Sequence, residues 1–135
     1  MSGDPLLLDT HALLWWQAGG ERLSPKSRRL IDHASRLFVS TISLWEVTML
    51  VGNGVIALDR PPQIWVHDLL ASGSVTLADL TPTIAVAAAQ LDEFTGDQAD
   101  RIIYATAAQN QLVLVSKDEQ LAEYARTQGD VTIEW

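Results

Sequence analysis

The stretch "LVLVS", residues 112–116, is the clearest strand signal in the chain and decides its fold class. Such an unbroken apolar run is typical of a strand in a parallel sheet whose two faces are both covered by helices. Helical patterns separate it from four other short strand candidates, "PLLLD", "RLFVS", "SVTLAD" and "VTIEW". Strands that alternate with helices in this way predict a three-layer α/β/α fold around a central, mostly parallel sheet of about five strands.

The composition of the chain limits its size class and its partners. Its 135 residues predict a single domain, and 17 acidic against 9 basic residues give a net charge of −8. This balance argues against a protein that holds nucleic acid by bulk electrostatics, so a nucleic-acid substrate would need a local mechanism for meeting phosphates. No apolar run approaches the roughly 18 residues needed to span a bilayer, which predicts a cytoplasmic protein without a membrane partner.

Two acids follow predicted strands. Asp9 comes after the first strand, and Asp118 lies just past "LVLVS". If these strands are adjacent and parallel, both carboxylates lie at the carboxyl edge of the sheet, where ligands bind in open α/β folds. The alternative is that each Asp only caps the helix that follows it, a role that Asp fills well.

Two more acids fall on apolar stripes of predicted helices. Glu46 shares its stripe with apolar residues in the helix predicted over residues 41–51. Asp100 begins the stripe of the helix predicted from Gln98, which continues through Ile103, Tyr104, Ala107 and Ala108. A charge in such surroundings is costly unless it is paired or coordinates a metal, and a buried Arg partner or an exposed end of the stripe is the alternative for Glu46.

Asp97 differs from Asp100 because it has a local explanation. It can cap the helix, and Arg101 lies four residues along, at the spacing that allows an ion pair with Asp97. Arg101 cannot neutralise Asp100, since adjacent side chains on a helix point apart. Asp100 is therefore the acid without an obvious local partner.

Four carboxylates gathered in one place repel each other and raise each other's pKa unless a divalent cation lies among them. The chain has no cysteine, and its three histidines are scattered, so any metal should be bound by oxygen. Oxygen ligands favour Mg²⁺ or Mn²⁺. Such a site can activate a water and neutralise the charge of a phosphoryl transition state.

The chain resembles the PIN domain family, and within it the VapC-type toxins of bacterial toxin–antitoxin pairs. Four motifs carry the resemblance in order, "LLLDTHALLWW", "VSTISLWEV", "GDQADRIIYATA" and "LVLVSKDEQLAEY". Each motif alone is weak, but four in the right order are specific. The resemblance implies one PIN-like domain over residues 1–135, whose catalytic and metal-binding acids are Asp9, Glu46, Asp100 and Asp118.

The same resemblance suggests supporting roles for three neighbouring residues. Asp97 matches an additional acid that many members carry in the third motif, behind the metal ligands. Thr10 and Ser116 lie beside metal-binding acids, where members often use a hydroxyl to orient ligands or water. Gln98 departs from the family, which commonly has a proline after the "GD", and this change affects entry into the helix rather than the chemistry.

The function implied by the resemblance is that of a Mg²⁺-dependent endoribonuclease, with Mn²⁺ as a substitute, acting as the toxin of a type II toxin–antitoxin pair. It would hydrolyse RNA phosphodiester bonds by metal-activated water in a four-carboxylate pocket. The alternative is a noncatalytic PIN-like module whose acidic pocket only binds a partner. A phosphatase of the haloacid dehalogenase type is disfavoured, because His11 stands where that mechanism needs a second Asp.

A local basic patch is the candidate for positioning RNA phosphates away from the metal. Lys26, Arg29, His33 and Arg36 are spaced to lie near one helical face. A solvated face of a surface helix is the alternative for any single member of this patch.

The apolar surface of the chain suggests protein partners. Five tryptophans are many for this length, and the excess apolar surface on the helices predicted over residues 10–18 and 41–51 could form a groove for a partner helix or a dimer surface. The resemblance implies a cognate antitoxin that blocks the acidic pocket, and either a homodimer or a toxin–antitoxin hetero-oligomer.

Overall fold

The computed structural model describes residues 3–135, which form a five-stranded sheet with helices on both faces. The strands are β1 (Leu6–Leu8), β2 (Leu37–Ser40), β3 (Thr76–Ala78), β4 (Val113–Val115) and β5 (Ile133–Glu134). Their order is β3-β2-β1-β4-β5, and every pairing is parallel. The predicted three-layer fold is confirmed, although the strands are shorter than the apolar runs from which they were predicted.

Seven helices connect and cover these strands in residues 3–135. They are α1 (Thr10–Gln17), α2 (Pro25–His33), α3 (Thr41–Gly52), α4 (Pro62–Ala71), α5 (Pro82–Ala89), α6 (Gln98–Asn110) and α7 (Glu119–Gln128). No helix in this described part of the chain is long and apolar enough to cross a membrane.

Alternate residues of β1 face opposite layers, as the two-residue period of a strand requires. Leu6 and Leu8 pack in one core with α1, α2 and α4, whereas Leu7 packs in the other with α6 and α7. Helix α3 reaches both layers, because Val47 is part of the first core and Ile42 packs against the second. This position brings α3 and the acid that it carries next to α6.

Helix α6 is buried more extensively than its predicted stripe. Ile103, Tyr104 and Ala107 are buried as predicted and Ala108 is half-buried, but Ala105 and Thr106 are buried as well. Helix α5 covers this additional surface and packs against Ala105. Helix α6 therefore packs against the sheet on one side and against α5 on another.

Local sequence sets where the helices begin. In six of the seven helices, the side chain of the N-cap residue accepts a hydrogen bond from a backbone N–H of the first turn, and α4, which follows Pro61, is the exception. Three of the six caps, Asp9, Asp97 and Asp118, are also candidate site residues. The folding signal and the candidate site thus share the same side chains.

Candidate metal centre

Asp9 and Asp118 lie at the same edge of the sheet. Their strands are neighbours with Leu8 opposite Val115, and the Asp9 backbone N–H donates to the Val115 carbonyl at 3.1 Å. The predicted capping also occurs, since Asp9 Oδ1 accepts from the Ala12 N–H at 2.8 Å and Asp118 Oδ1 accepts from the α7 backbone. Both caps use Oδ1, which leaves Oδ2 of each carboxylate outside the cap. Helix capping and ligand binding at the carboxyl edge are therefore compatible roles for both acids.

Glu46 and Asp100 approach this edge from the helices. Asp100 stands in the first turn of α6, and burial raises its pKa to about 7, with the negative charges of Asp97, Asp118 and Glu46 adding to the effect. Glu46 also interacts with Asp9, so each of the four predicted acids lies near enough to feel the charge of another. The structure thus brings the four residues to one end of the sheet.

Burial dominates the electrostatics of Asp9. It raises the pKa of the Asp9 carboxyl, whereas the neighbouring Ser116 hydroxyl, the Ala12 N–H and His11 lower that pKa, and Glu46 raises it. Ser116 is itself buried, and its Oγ accepts from the Asp118 backbone N–H at 3.1 Å. Ser116 therefore connects the two strand-end acids, as its predicted place beside them suggested.

The oxygen atoms of the candidate site suit a hard divalent cation better than a Lys, Arg or His side chain of the protein. The ion pairs of residues 3–135 are Lys26–Glu134, Arg60–Asp59, Arg60–Asp68 and Arg126–Glu123, and none includes a candidate acid. Carboxylate and hydroxyl oxygens are the ligands that Mg²⁺ and Mn²⁺ prefer. However, no three His, Asp or Glu residues of the described range form a group that could hold a metal ion.

Thr10 contributes to the site through Ser43, which the sequence did not single out. Thr10 is buried, and its hydroxyl donates to Ser43 Oγ at 3.1 Å, which ties α1 to α3. Ser43 is fully buried and precedes Glu46 by one helical turn. Its only sequence signal was a small polar residue within an apolar helix.

Asp97 and Gly96 shape the entry to α6. Asp97 is exposed and caps the helix by accepting from the Asp100 N–H at 2.8 Å, which confirms the capping prediction. A Cβ at Gly96 would lie 2.6 Å from Phe94 Cε1 and 3.0 Å from Asp100 Cβ. Gly96 was not singled out from the sequence, and only its place before a cap could have suggested that space is limited there.

The expected ion pair between Arg101 and Asp97 does not form. Arg101 Nη1 instead donates to the carbonyls of Ala88 and Leu91, at 3.0 and 3.3 Å, and its guanidinium lies over the Phe94 ring at 5.4 Å. Ala88 lies in the last turn of α5 and Leu91 just beyond the helix, where carbonyls lack the bonds of a continuing helix, so the half-buried guanidinium finds acceptors there.

The predicted basic patch does not form one helical face. Helix α2 ends at His33, because the chain turns there to pair Ala34 with Gly3, so Arg36 lies beyond the helix. The Arg36 carbonyl accepts from the Leu6 N–H at 3.0 Å, at the edge of the sheet opposite the acids. Lys26 is committed to an ion pair with Glu134. Arg29 remains an exposed cation on α2.

A groove of about 630 Å³ lies against α1, and none of the four candidate acids lines it. It lies between α1 and residues 55–60 rather than between the two helices suggested by the sequence. Its lining includes His11, Trp15, Arg22, Arg60 and Trp65. Arg60 Nε is 3.1 Å from Asp68 Oδ2 but is not aligned for a hydrogen bond with it.

Comparisons with known proteins agree with this architecture. The PIN domain pattern matches residues 6–127. Ribonuclease VapC22 of Mycobacterium tuberculosis is 38% identical over 120 residues, which cover 88% of this chain and 91% of that protein. VapBC2 from Rickettsia felis, solved with a DNA fragment from its promoter, superposes with a TM-score of 0.66 at 13% identity over 97% of this chain and 98% of that one. A toxin–antitoxin complex from Klebsiella pneumoniae gives a TM-score of 0.63 at 19% identity over 94% and 95% of the two chains.

Proposed function

The chain belongs to the PIN domain family, and on this premise we propose that it is a Mg²⁺-dependent endoribonuclease, the toxin of a type II toxin–antitoxin pair. The observation that supports the proposal is that Asp9, Glu46, Asp100 and Asp118 lie near enough to influence one another's charge, without a Lys, Arg or His ion-paired to any of them in residues 3–135. The similarity to ribonuclease VapC22 supplies the substrate class.

In this proposal the four acids are the metal ligands and the catalytic residues. Bound Mg²⁺, or Mn²⁺ in its place, would activate a water and neutralise charge on the reacting phosphoryl group. Asp9 and Asp118 present carboxylates from adjacent strand ends, and Glu46 and Asp100 present theirs from α3 and α6. A cation lowers the electrostatic penalty that raises the pKa of Asp100, so metal binding and ionisation of this carboxyl favour each other.

Three neighbours would hold these ligands in place. Ser116 contacts the Asp9 carboxylate and the Asp118 backbone, so it fixes the spacing of the two strand-end acids. Thr10 acts through Ser43 on the helix that carries Glu46. Asp97 caps the helix that carries Asp100 and adds negative charge behind it.

RNA must be attracted locally, because the chain as a whole carries a net charge of −8. Lys26, Arg29 and Arg36 stay as predicted RNA-positioning residues. Of these, Lys26 is ion-paired, Arg36 lies at the far edge of the sheet, and Arg29 is exposed on α2 beside Gly3 and Leu6 at the start of β1.

A cognate antitoxin and a second copy of the chain are the proposed protein partners. Solved relatives of the same fold include VapBC2 from Rickettsia felis and a toxin–antitoxin complex from Klebsiella pneumoniae. On this chain, Trp45 and Met49 stand one turn apart on α3 with 53% and 45% of their surface exposed. Exposed apolar side chains of this kind are typical of an interaction surface.

Cleavage of total cellular RNA tests the proposal. Purified, partner-free protein would be incubated with Mg²⁺, with Mn²⁺ and with excess EDTA, alongside the Asp100→Asn variant. We expect discrete fragments with either metal, and their loss with EDTA and with the variant. A folded protein that cuts neither total RNA nor individual candidate RNAs under these conditions would instead favour the noncatalytic module.

A further inference from the structure

A cluster of aromatic and basic side chains lies beside Asp9, on the side of α1. The His11 and Trp15 rings are 5.7 Å apart between centroids, and Trp135 packs against Trp15 at 5.6 Å. Lys117 Nζ lies 5.8 Å from the centroid of the same Trp15 ring. We call His11, Trp15 and Lys117 the aromatic–lysine cluster.

The cluster adjoins the candidate metal centre at two points. His11 is near enough to Asp9 to influence the ionisation of its carboxyl. Lys117 stands between Ser116 and Asp118 in the chain, at the carboxyl end of β4. A group bound on the cluster would therefore lie next to the acids.

The polar groups of the cluster are available to a ligand. His11 and Lys117 are exposed, and the ion pairs within residues 3–135 include neither of them. Trp15 also lines the groove of about 630 Å³, whose lining contains the exposed cation Arg22 and the paired Arg60. In a chain with a net charge of −8, two cations that form no ion pair in residues 3–135, Lys117 and Arg22, thus lie beside this aromatic surface.

We infer that the aromatic–lysine cluster is a nucleotide-binding subsite, in which one base of a single RNA strand stacks on Trp15 and an adjacent phosphate contacts Lys117. An aromatic face with a nearby cation is the combination that binds single-stranded nucleic acid, because every base has a face that stacks and every linkage has a charge. Along the groove, His11 adds a polar ring and Arg22 adds a further cation. The inference rests on the proposed function and adds to it the residues that position the substrate.

Binding and cleavage of a short RNA test the subsite separately. A fluorescein-labelled pool of random single-stranded RNA 12-mers would be titrated in EDTA, with anisotropy as the readout, against wild-type protein and single variants. Trp15→Leu keeps apolar bulk but removes the stacking face, and Trp15→Phe keeps both. Lys117→Gln removes one charge, and Arg126→Gln removes a charge from the far part of α7 as a matched control.

We expect Trp15→Leu to weaken binding by roughly 5- to 100-fold, the range for loss of one stacked base, and Trp15→Phe to restore most of it. Lys117→Gln should weaken binding by about 3- to 10-fold and reduce the dependence of the Kd on salt by about one phosphate contact. Arg126→Gln should bind as the wild type does. Circular dichroism of each variant checks that the fold is intact.

The remaining outcomes separate this inference from the proposed function. If Trp15→Leu and Lys117→Gln bind RNA like wild type while wild type cleaves RNA with Mg²⁺, the subsite is wrong and the nuclease stands. Unchanged RNA binding with loss of binding to the co-expressed antitoxin would likewise overturn the inference and assign the cluster to the protein partner. If binding depends on Trp15 but wild type cleaves nothing, the subsite stands and the nuclease falls.

Discussion

The backbone N–H of Asp100 donates to the Asp97 carboxylate at 2.8 Å, so the first acid of α6 is held by the cap of its own helix. The same contact places two carboxylates within one turn, and the charge of Asp97 helps to raise the pKa of Asp100. The residue that starts the helix therefore makes the neighbouring acid harder to ionise. Asp97 thus stabilises the start of the helix through its cap, and its charge disfavours the ionised form of Asp100.

Replacing Asp100 by Asn should stabilise the metal-free protein at pH 8. In the fold the pKa of Asp100 rises from 3.8 to about 7, because burial and neighbouring acids disfavour its charged form. The folded state thus binds an extra proton at pH values between these two, and its free energy of unfolding should decrease as pH rises through 7. Melting temperatures in EDTA should agree for the two proteins near pH 4, whereas the variant should melt a few degrees higher at pH 8. Equal melting temperatures at pH 8 would contradict this account of the carboxyl.

Mg²⁺ should raise the melting temperature of the wild-type protein at pH 8 by several degrees. A ligand that binds only the folded state stabilises it by mass action, and here it would also remove repulsion among the acids. Asp9→Asn should abolish most of the increase, because Asn keeps the helix cap but loses the ligand charge. Asp32→Asn, an exposed acid on α2, is the matched control and should respond like wild type. Differential scanning fluorimetry with and without Mg²⁺ measures the effect, and an equal response from Asp9→Asn would argue against this residue as a ligand.

Gly96→Ala should destabilise the protein by roughly 1–3 kcal/mol and reduce RNA cleavage. The new Cβ would meet Phe94 at 2.6 Å and Asp100 at 3.0 Å, and the Phe94 ring packs against Tyr104 and Tyr124, so its movement is restricted. Relief of the clash would displace the start of α6 and the acid on it.

Gly52→Ala is the control for this substitution, since nothing lies within 4 Å of a Cβ built at Gly52, at the end of α3. It should be neutral or slightly stabilising. Urea denaturation gives both free energies of unfolding, and two equal values would remove the steric explanation.

Ser43→Ala should destabilise the protein by about 1–3 kcal/mol, because the buried Thr10 hydroxyl loses its partner. Thr10→Val should also destabilise, and the double variant should be less destabilised than the sum of the two, since both changes remove the same hydrogen bond. A double-mutant cycle from urea denaturation measures the difference. Strict additivity would mean that the hydroxyls do not interact in solution.

The features that the sequence predicted are those that depend on local pattern. The strand over residues 113–115 follows from an apolar run, and the start of α6 follows from a cap and a 3.6-residue stripe. Asp100 was found in the same way, because a carboxylate at the head of a stripe conflicts with burial. Each of these signals lies within a few residues along the chain.

The features that the sequence did not predict depend on contacts between distant segments. Arg101 binds the carbonyls of Ala88 and Leu91 rather than the nearer Asp97, which no spacing rule reveals. Ser43 on α3 joins two distant segments, because its hydroxyl accepts a hydrogen bond from Thr10 on α1. Arg36 does not lie on the expected basic face, because α2 ends at His33 and the next residue, Ala34, pairs with Gly3.

The pairing of Leu8 with Val115 has a consequence for the synthesis of the chain. Asp9 is made well before Asp118, and the parallel contact between β1 and β4 brings them to one edge. Such long-range strand pairing forms late relative to local helices. A nascent polypeptide therefore cannot bring Asp9 and Asp118 to the same edge until β4 and the residues after it have been made.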